Sequence, residues 1–227
     1  YVHPADNLTY DSMHAMVGNG IAQFEKGYLL SALKDVGVKW DHFRRFAEGG
    51  WSFPRASGSL AILKASLAEA REKAWASSNA FKSTATEMLV LQPVLLHFLH
   101  LVVRPTGKLQ KHIASYEALG ELLHIVRLAK DGQPVHDRMS DVAMLHATLF
   151  AEAYPDEEAK PKNHYTQHLS VQTKRDGIIV DAFVGERKNG FVQRTSYDID
   201  NTSTFERSLL MRVASAQLEA IGERDFL

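Results

Sequence analysis

The segment Lys160-Pro161-Lys162-Asn163-His164-Tyr165-Thr166-Gln167-His168 gathers two histidines and two lysines within nine residues. Eighteen residues after His168 comes Glu186, directly followed by Arg187 and Lys188. His164 and His168 are four apart, so on a helix they share one face. That is half of a common zinc geometry, but no further ligand pair is evident, and the motif lacks the Glu that follows the first His in helical metalloproteases. The simpler reading gives both histidines structural hydrogen bonds at a helix start.

From Lys160 to Arg194 the chain carries seven cations (Lys160, Lys162, Lys174, Arg175, Arg187, Lys188, Arg194) against three acids (Asp176, Asp181, Glu186). The local balance is +4, in a chain whose formal net charge is −1. Such an excess can hold phosphates through charge-assisted contacts; a solvated helix face would read the same way. A second chemical pair is Asp11 and His14. Three residues apart on one helical face, they could bind a metal, or Asp11 could orient the imidazole. Asp11 is also a natural N-cap for the helix that begins there. His97 and His100 are likewise three apart on an apolar helix, where a core-edge role with a satisfied nitrogen is the plainer reading.

The elements that must position these residues read as mainly α. Asp11 precedes Met13, Met16, Val17, Ile21, Phe24, Tyr28, Leu29 and Leu33 at roughly helical spacing, with Gly18, Gly20 and Gly27 marking a kink or a close backbone approach. Residues 49–58, rich in Gly, Ser and Pro, read as an ordered loop, and residues 66–80 as a helix. Met88 to Val103 is the most apolar run. It spans 16 residues, broken by Gln92, Pro93, His97 and His100, which suits a core helix better than a bilayer span of about 20 residues. Lys108 to Lys130 forms the strongest amphipathic helix, ending at Gly132. Asp137 or Ser140 is expected to cap the next, which stops near Pro155. Tyr154 to Lys162 reads as a turn-rich connector. Asn201 or Ser203 should cap a last helix ending at Gly222. Only residues 177–184 offer a short strand, and a helix fits them equally.

With 227 residues, 45% hydrophobic and 23% charged, the chain is long enough to bury a proper core. The absence of cysteine excludes disulfides, thiolate metal sites and cysteine nucleophiles, and fits a reducing interior. No cationic-then-apolar leader opens the chain. Starting at Tyr1-Val2-His3-Pro4, it reads as a piece of a longer frame, intracellular or nuclear rather than secreted, and without a membrane partner.

Several of these pieces, in this order, resemble the C-terminal half of a cut-and-paste DNA transposase of the CACTA type. In that family a D-x-x-H motif opens a helix, here Asp11-Ser12-Met13-His14 with Val17-Gly18-Asn19-Gly20 behind it. A helical region follows, then a K-P-K-H-H-Y-L-x-H-like motif, here Lys160 to His168. A Glu before basic residues comes next, here Glu186-Arg187-Lys188-Asn189, and a tail similar to Thr202 to Leu210 closes the pattern. Asn163 and Asn189 depart from it, standing where relatives often have His.

The resemblance implies a DDE/D enzyme whose RNase H-like core is interrupted by a helical insertion. Residues 1–155 would be the insertion-like region. Residues 156–227 would carry the basic segment, the catalytic carboxylate and the C-terminal helix of the core, with little or no sheet. Glu186 would be the third metal carboxylate, with Mg2+ or Mn2+ as cofactor; the other two carboxylates would lie N-terminal to Tyr1. His14 would lie near the scissile phosphate, oriented by Asp11. Lys160, Lys162, His164, His168, Arg187, Lys188 and Arg194 would contact DNA at transposon ends, an arrangement compatible with an oligomer. The alternatives are a non-catalytic, transposon-derived helical module that binds DNA or protein, and a metal-binding helical bundle using the histidine pairs.

Overall fold

A computed structural model of the chain describes residues 9–48, 83–157, 161–181 and 204–222. Among these the protein is mainly α, and none forms a strand. The chain divides into two compact units, Tyr1–Asp181 and Ala182–Leu227.

In the first unit, α1 (Ser12–Met16) starts at Asp11, whose side chain accepts from the Met13 N–H at 3.0 Å. The long helix expected from Asp11 onward is in fact two. It breaks at Val17–Gly20, where Asn19 adopts a left-handed φ of 51°, a conformation Asn tolerates. A Cβ on Gly20 would sit 2.3 Å from the Met16 carbonyl carbon and 2.5 Å from the Val17 nitrogen. The close backbone approach signalled by the glycines therefore falls at Gly20.

Helix α2 (Ile21–Asp35) buries Ile21, Ala22, Leu29 and Leu33, and α3 (Trp40–Glu48) buries Phe43 and Ala47. Helix α4 (Ala85–Phe98) opens with a reciprocal capping box, Thr84 with Glu87. It then widens into a π turn at Leu99–Val103. The stretch Ala85–Thr106 has the length and composition to cross a membrane. Here Met88, Leu91, Leu95, Phe98 and Leu99 are buried in the helical core, with the Phe98 ring edge-on to Phe43 and Phe46. Gln23 and Lys26 of α2 both reach Ser83, the residue leading into α4.

Helix α5 (Gln110–Lys130) is the spine. Its buried residues Ile113, Tyr116, Leu119, Leu122, Ile125, Val126 and Ala129 cover a broad stripe, which packs on α2, α4 and α6. Helix α6 (His136–Ala153) begins a residue before Asp137, after Val135, with no side-chain cap. The caps expected at Asp137 or Ser140 are not used: Asp137 instead lies in the first turn, where a carboxylate suits the helix dipole. Helix α7 (Pro161–Asp176) packs on α6 and α1. Pro161 and Lys162 thus belong to a helix rather than to the connector, Pro being suited to a first turn whose N–H groups need no intrahelical partner. Residues 177–181 are neither strand nor helix; Ile179 joins the core, and the Val180 carbonyl accepts from the Ser12 N–H at 2.9 Å. In the second unit, α8 (Phe205–Gly222) matches the expected last helix. Its proposed caps, Asn201 and Ser203, lie outside the described residues, as do the loop at 49–58 and the helix at 66–80.

One polar node sits inside this core. Glu25 of α2 is fully buried, and its carboxylate accepts from Ser115 Oγ of α5 at 2.6 Å. The other carboxylate oxygen pairs at 2.6 Å with Nε2 of His146 on α6, also buried. Glu25 thereby ties three helices together. Glu25→Ala would strand a buried hydroxyl and a buried imidazole nitrogen, a loss of about 3 kcal/mol or more. Glu25→Gln, which can still accept from Ser115, should lose less. Urea midpoints read this directly, and a Glu25→Ala loss below about 0.5 kcal/mol, the size of an ordinary surface substitution, would show that the node does not clamp the helices.

Candidate functional site

The two motifs of the sequence meet where α7 lies across α1, and Tyr10 is the hinge pin. The Gln172 side chain, almost fully buried, accepts from the Tyr10 N–H at 2.6 Å and donates to the Tyr10 carbonyl at 3.2 Å. It pairs with the backbone as a neighbouring strand would. The Tyr10 ring stacks on His168, with centroids 5.1 Å apart and planes 9° apart, and meets Tyr165 at 5.1 Å. Positions 165, 168 and 172 are the i, i+3, i+7 stripe of α7, so one helix face grips the residue before Asp11.

Asp11 does both things its position suggested. One carboxylate oxygen caps α1 through Met13, and the other takes Nδ1 of His14. That bond places the proton of a neutral ring on Nδ1 and the lone pair on Nε2, the arrangement of a general base or a metal ligand. Lys162 closes the junction from α7, donating to the carbonyls of Gly18 at 3.4 Å and Asn19 at 2.7 Å. Burial pulls its amine below the usual lysine range, against the attraction of the Asp11 carboxylate. His164 and His168 bring their Nε2 atoms within 2.8 Å of each other, so one of the pair donates to the other.

Asp11, His14, Lys162, His164 and His168 therefore occupy one junction. Lys160, Glu186, Arg187, Lys188 and Arg194 lie outside the described residues. Of the other cations in the basic segment, Lys174 approaches Asp137 at 3.8 Å and Arg175 pairs with Asp176 at 2.6 Å. The Asp176 carboxyl is held below the ordinary carboxylate range, first by its hydrogen bond from Arg175. Such exposed pairs hold their partners weakly, and a phosphate could compete for the cations.

Among the described residues no group of three or more His, Asp and Glu side chains is placed to hold a metal ion. Mg2+ requires oxygen ligands, and the junction offers one carboxylate, Asp11, already used by the cap and by His14. These residues do not by themselves make a two-metal site. The second histidine pair has structural partners. His100 Nε2 meets Glu117 at 2.7 Å, and Arg104 bridges the same carboxylate at 2.9 Å. His97 lies against the Phe46 ring.

Tyr10, Gln172 and the buried Glu25, Ser115 and His146 were not singled out from the sequence. Around Glu25 the hydroxyls of Tyr116 and Tyr154 are buried without a hydrogen-bond partner. Burial, and then the Glu25 charge, pushes both far above the usual phenol range. Burial likewise lowers the pKa of His112, whose ring packs edge-on to Tyr154, with the Glu25 charge opposing the shift. No protein-family model, curated protein or solved structure matches this chain.

The double role of Asp11 separates under mutation. Asp11→Ser keeps a capping oxygen, so stability should stay within about 0.5 kcal/mol, whereas Asp11→Ala should cost about 1 kcal/mol. Equal losses in the two variants, measured by chemical denaturation, would mean that pairing with His14 rather than the cap carries the contribution of Asp11.

Proposed function

We propose that this chain is part of a CACTA-like DDE/D DNA transposase, contributing one metal-binding carboxylate and DNA-backbone contacts to phosphodiester cleavage and strand transfer. The observation that supports this reading is the meeting of its two motifs. D-x-x-H and K-P-K-N-H-Y-x-x-H are joined through Tyr10 and Gln172, residues 162 positions apart. Such motifs have no local reason to lie together, and shared chemistry supplies one.

In this reading Glu186 is the third carboxylate, working in the nucleus with Mg2+ or Mn2+ and with two aspartates from chain outside these residues. When bound, paired ions would activate the attacking oxygen and stabilise the leaving one. This chain's own groups bind and orient. Asp11 orients the His14 ring near the scissile phosphate. Lys162 locks the α1–α2 turn against α7. Lys160, Arg187, Lys188 and Arg194 hold the DNA backbone of a transposon end. Tyr165, 38% exposed, and the imidazoles of His164 and His168 add ring faces and donors beside it.

A second reading, a non-catalytic transposon-derived module that binds DNA or protein, draws on Asn163 and Asn189 standing where relatives often have His. One experiment on the full-length protein separates the two. Glu186→Gln should abolish Mg2+-dependent strand cleavage and leave DNA affinity nearly unchanged. Retained cleavage would remove Glu186 from the site, and a wild-type protein that binds DNA without cutting it would establish the second reading. Affinity should fall with salt, with a log–log slope of about −3.6 for four phosphate contacts on duplex DNA; a flat response would exclude backbone binding.

A further inference from the structure

We propose that His164 and His168 form a two-point chelate for a borderline divalent transition-metal ion, Cu2+ or Ni2+ ahead of Zn2+. This inference stands on the imidazole geometry alone and does not depend on the transposase reading.

The two rings lie one helical turn apart on α7, edge to face, with centroids 4.4 Å apart. Their Nε2 atoms face each other across 2.8 Å. Two neutral imidazoles can hold that approach only by sharing one proton, with one lone pair turned toward the other ring's N–H. When a metal ion binds, the ring that held the Nε2 proton changes tautomer and carries it on Nδ1, so that both rings stay neutral and both Nε2 lone pairs are given to the metal.

The spacing selects the ion. A metal–nitrogen bond of about 2.0–2.1 Å spanning the observed 2.8 Å gives an angle at the metal of about 90°, the cis angle of tetragonal and octahedral ions. Tetrahedral Zn2+ would need the nitrogens spread to about 3.3 Å at the same bond length, a small ring rotation. Imidazole suits Cu2+, Ni2+ and Zn2+, and affinity rises to Cu2+ along the divalent series. Mg2+ is excluded here because it takes oxygen ligands.

Preorganisation supplies the rest. The His168 ring is stacked on Tyr10 with planes 9° apart, and the Tyr10 backbone is itself fixed by two hydrogen bonds with Gln172, one accepted and one donated by the side chain. One ligand is thus already positioned before metal arrives, which reduces the ordering cost of binding. His164 is exposed and His168 half-buried. The remaining coordination positions therefore open to solvent, where water or an oxygen of a bound anion completes the shell.

The test is calorimetric titration of the protein with NiCl2. The expected result is one Ni2+ per chain, with affinity at least about tenfold weaker in both His164→Ala and His168→Ala and unchanged in His100→Ala. Circular dichroism should show unchanged helix content in the variants, separating ligand loss from unfolding. Tyr10→Leu, which keeps bulk but removes the stack, should weaken binding while leaving the stoichiometry intact. Loss in only one of the two histidine variants would describe a single surface imidazole and overturn the chelate. So would unchanged affinity in both, or no binding by the parent protein at millimolar metal.

Discussion

A single buried carboxylate holds this helical body in register. Glu25 sits where α2, α5 and α6 converge, and it accepts from Ser115 while pairing with His146. A buried acid without partners would be expensive, and one with two good partners fixes which helices must be neighbours. That choice propagates outward. Helix α1 is joined to α2 by the tight Val17–Gly20 break, and α7 packs on α6. Linking α2 to α6 therefore brings α1 and α7 within reach of each other. The junction that carries the candidate chemistry is a consequence of the core node.

At that junction the bonds are specific rather than merely apolar. Gln172 satisfies both backbone groups of Tyr10, Lys162 satisfies the Gly18 and Asn19 carbonyls in the turn that follows α1, and the Val180 carbonyl takes the first amide of that helix. Helix α1 has only five residues and could not persist alone, since isolated helices shorter than about 12 residues are marginal in water. Its ends are held by residues from far along the chain. Asp11 and His14 thus belong to a short element whose existence depends on α7. The Asp11–His14 element is therefore held in place by the helix that carries His164 and His168.

Much of this architecture was legible in the sequence, for physical reasons that can be named. Helix α5 announced itself through apolar periodicity and the Asp11 cap through residue type, whereas of the apolar residues Met144, Leu145, Leu149 and Phe150 that pointed to α6, Met144 and Leu145 are exposed. Gly20 was flagged, and the structure shows why only glycine fits. The start of α6 was misplaced because its entry uses the Val135 backbone and no side chain, leaving nothing for a cap rule to detect. Glu25 could have been found: it occupies the same stripe as Ile21 and Leu29, at i+4 and i−4, and so points into the core. His146 likewise falls in step with Met139, Ala143 and Phe150. The grip of Gln172 on Tyr10 had no local signal, because it joins residues that only the folded core brings together.

The central claim is that the Tyr10–Asp11 end of one motif is docked on the His168 face of the other. Nuclear Overhauser contacts between the Tyr10 and His168 rings measure it most directly, in the intact chain and without mutation. With ring centroids 5.1 Å apart and nearly parallel planes, strong ring-to-ring cross-peaks are expected, together with a Tyr10 amide protected from exchange by Gln172. Absent cross-peaks and a freely exchanging Tyr10 amide would contradict the docking and with it the shared site.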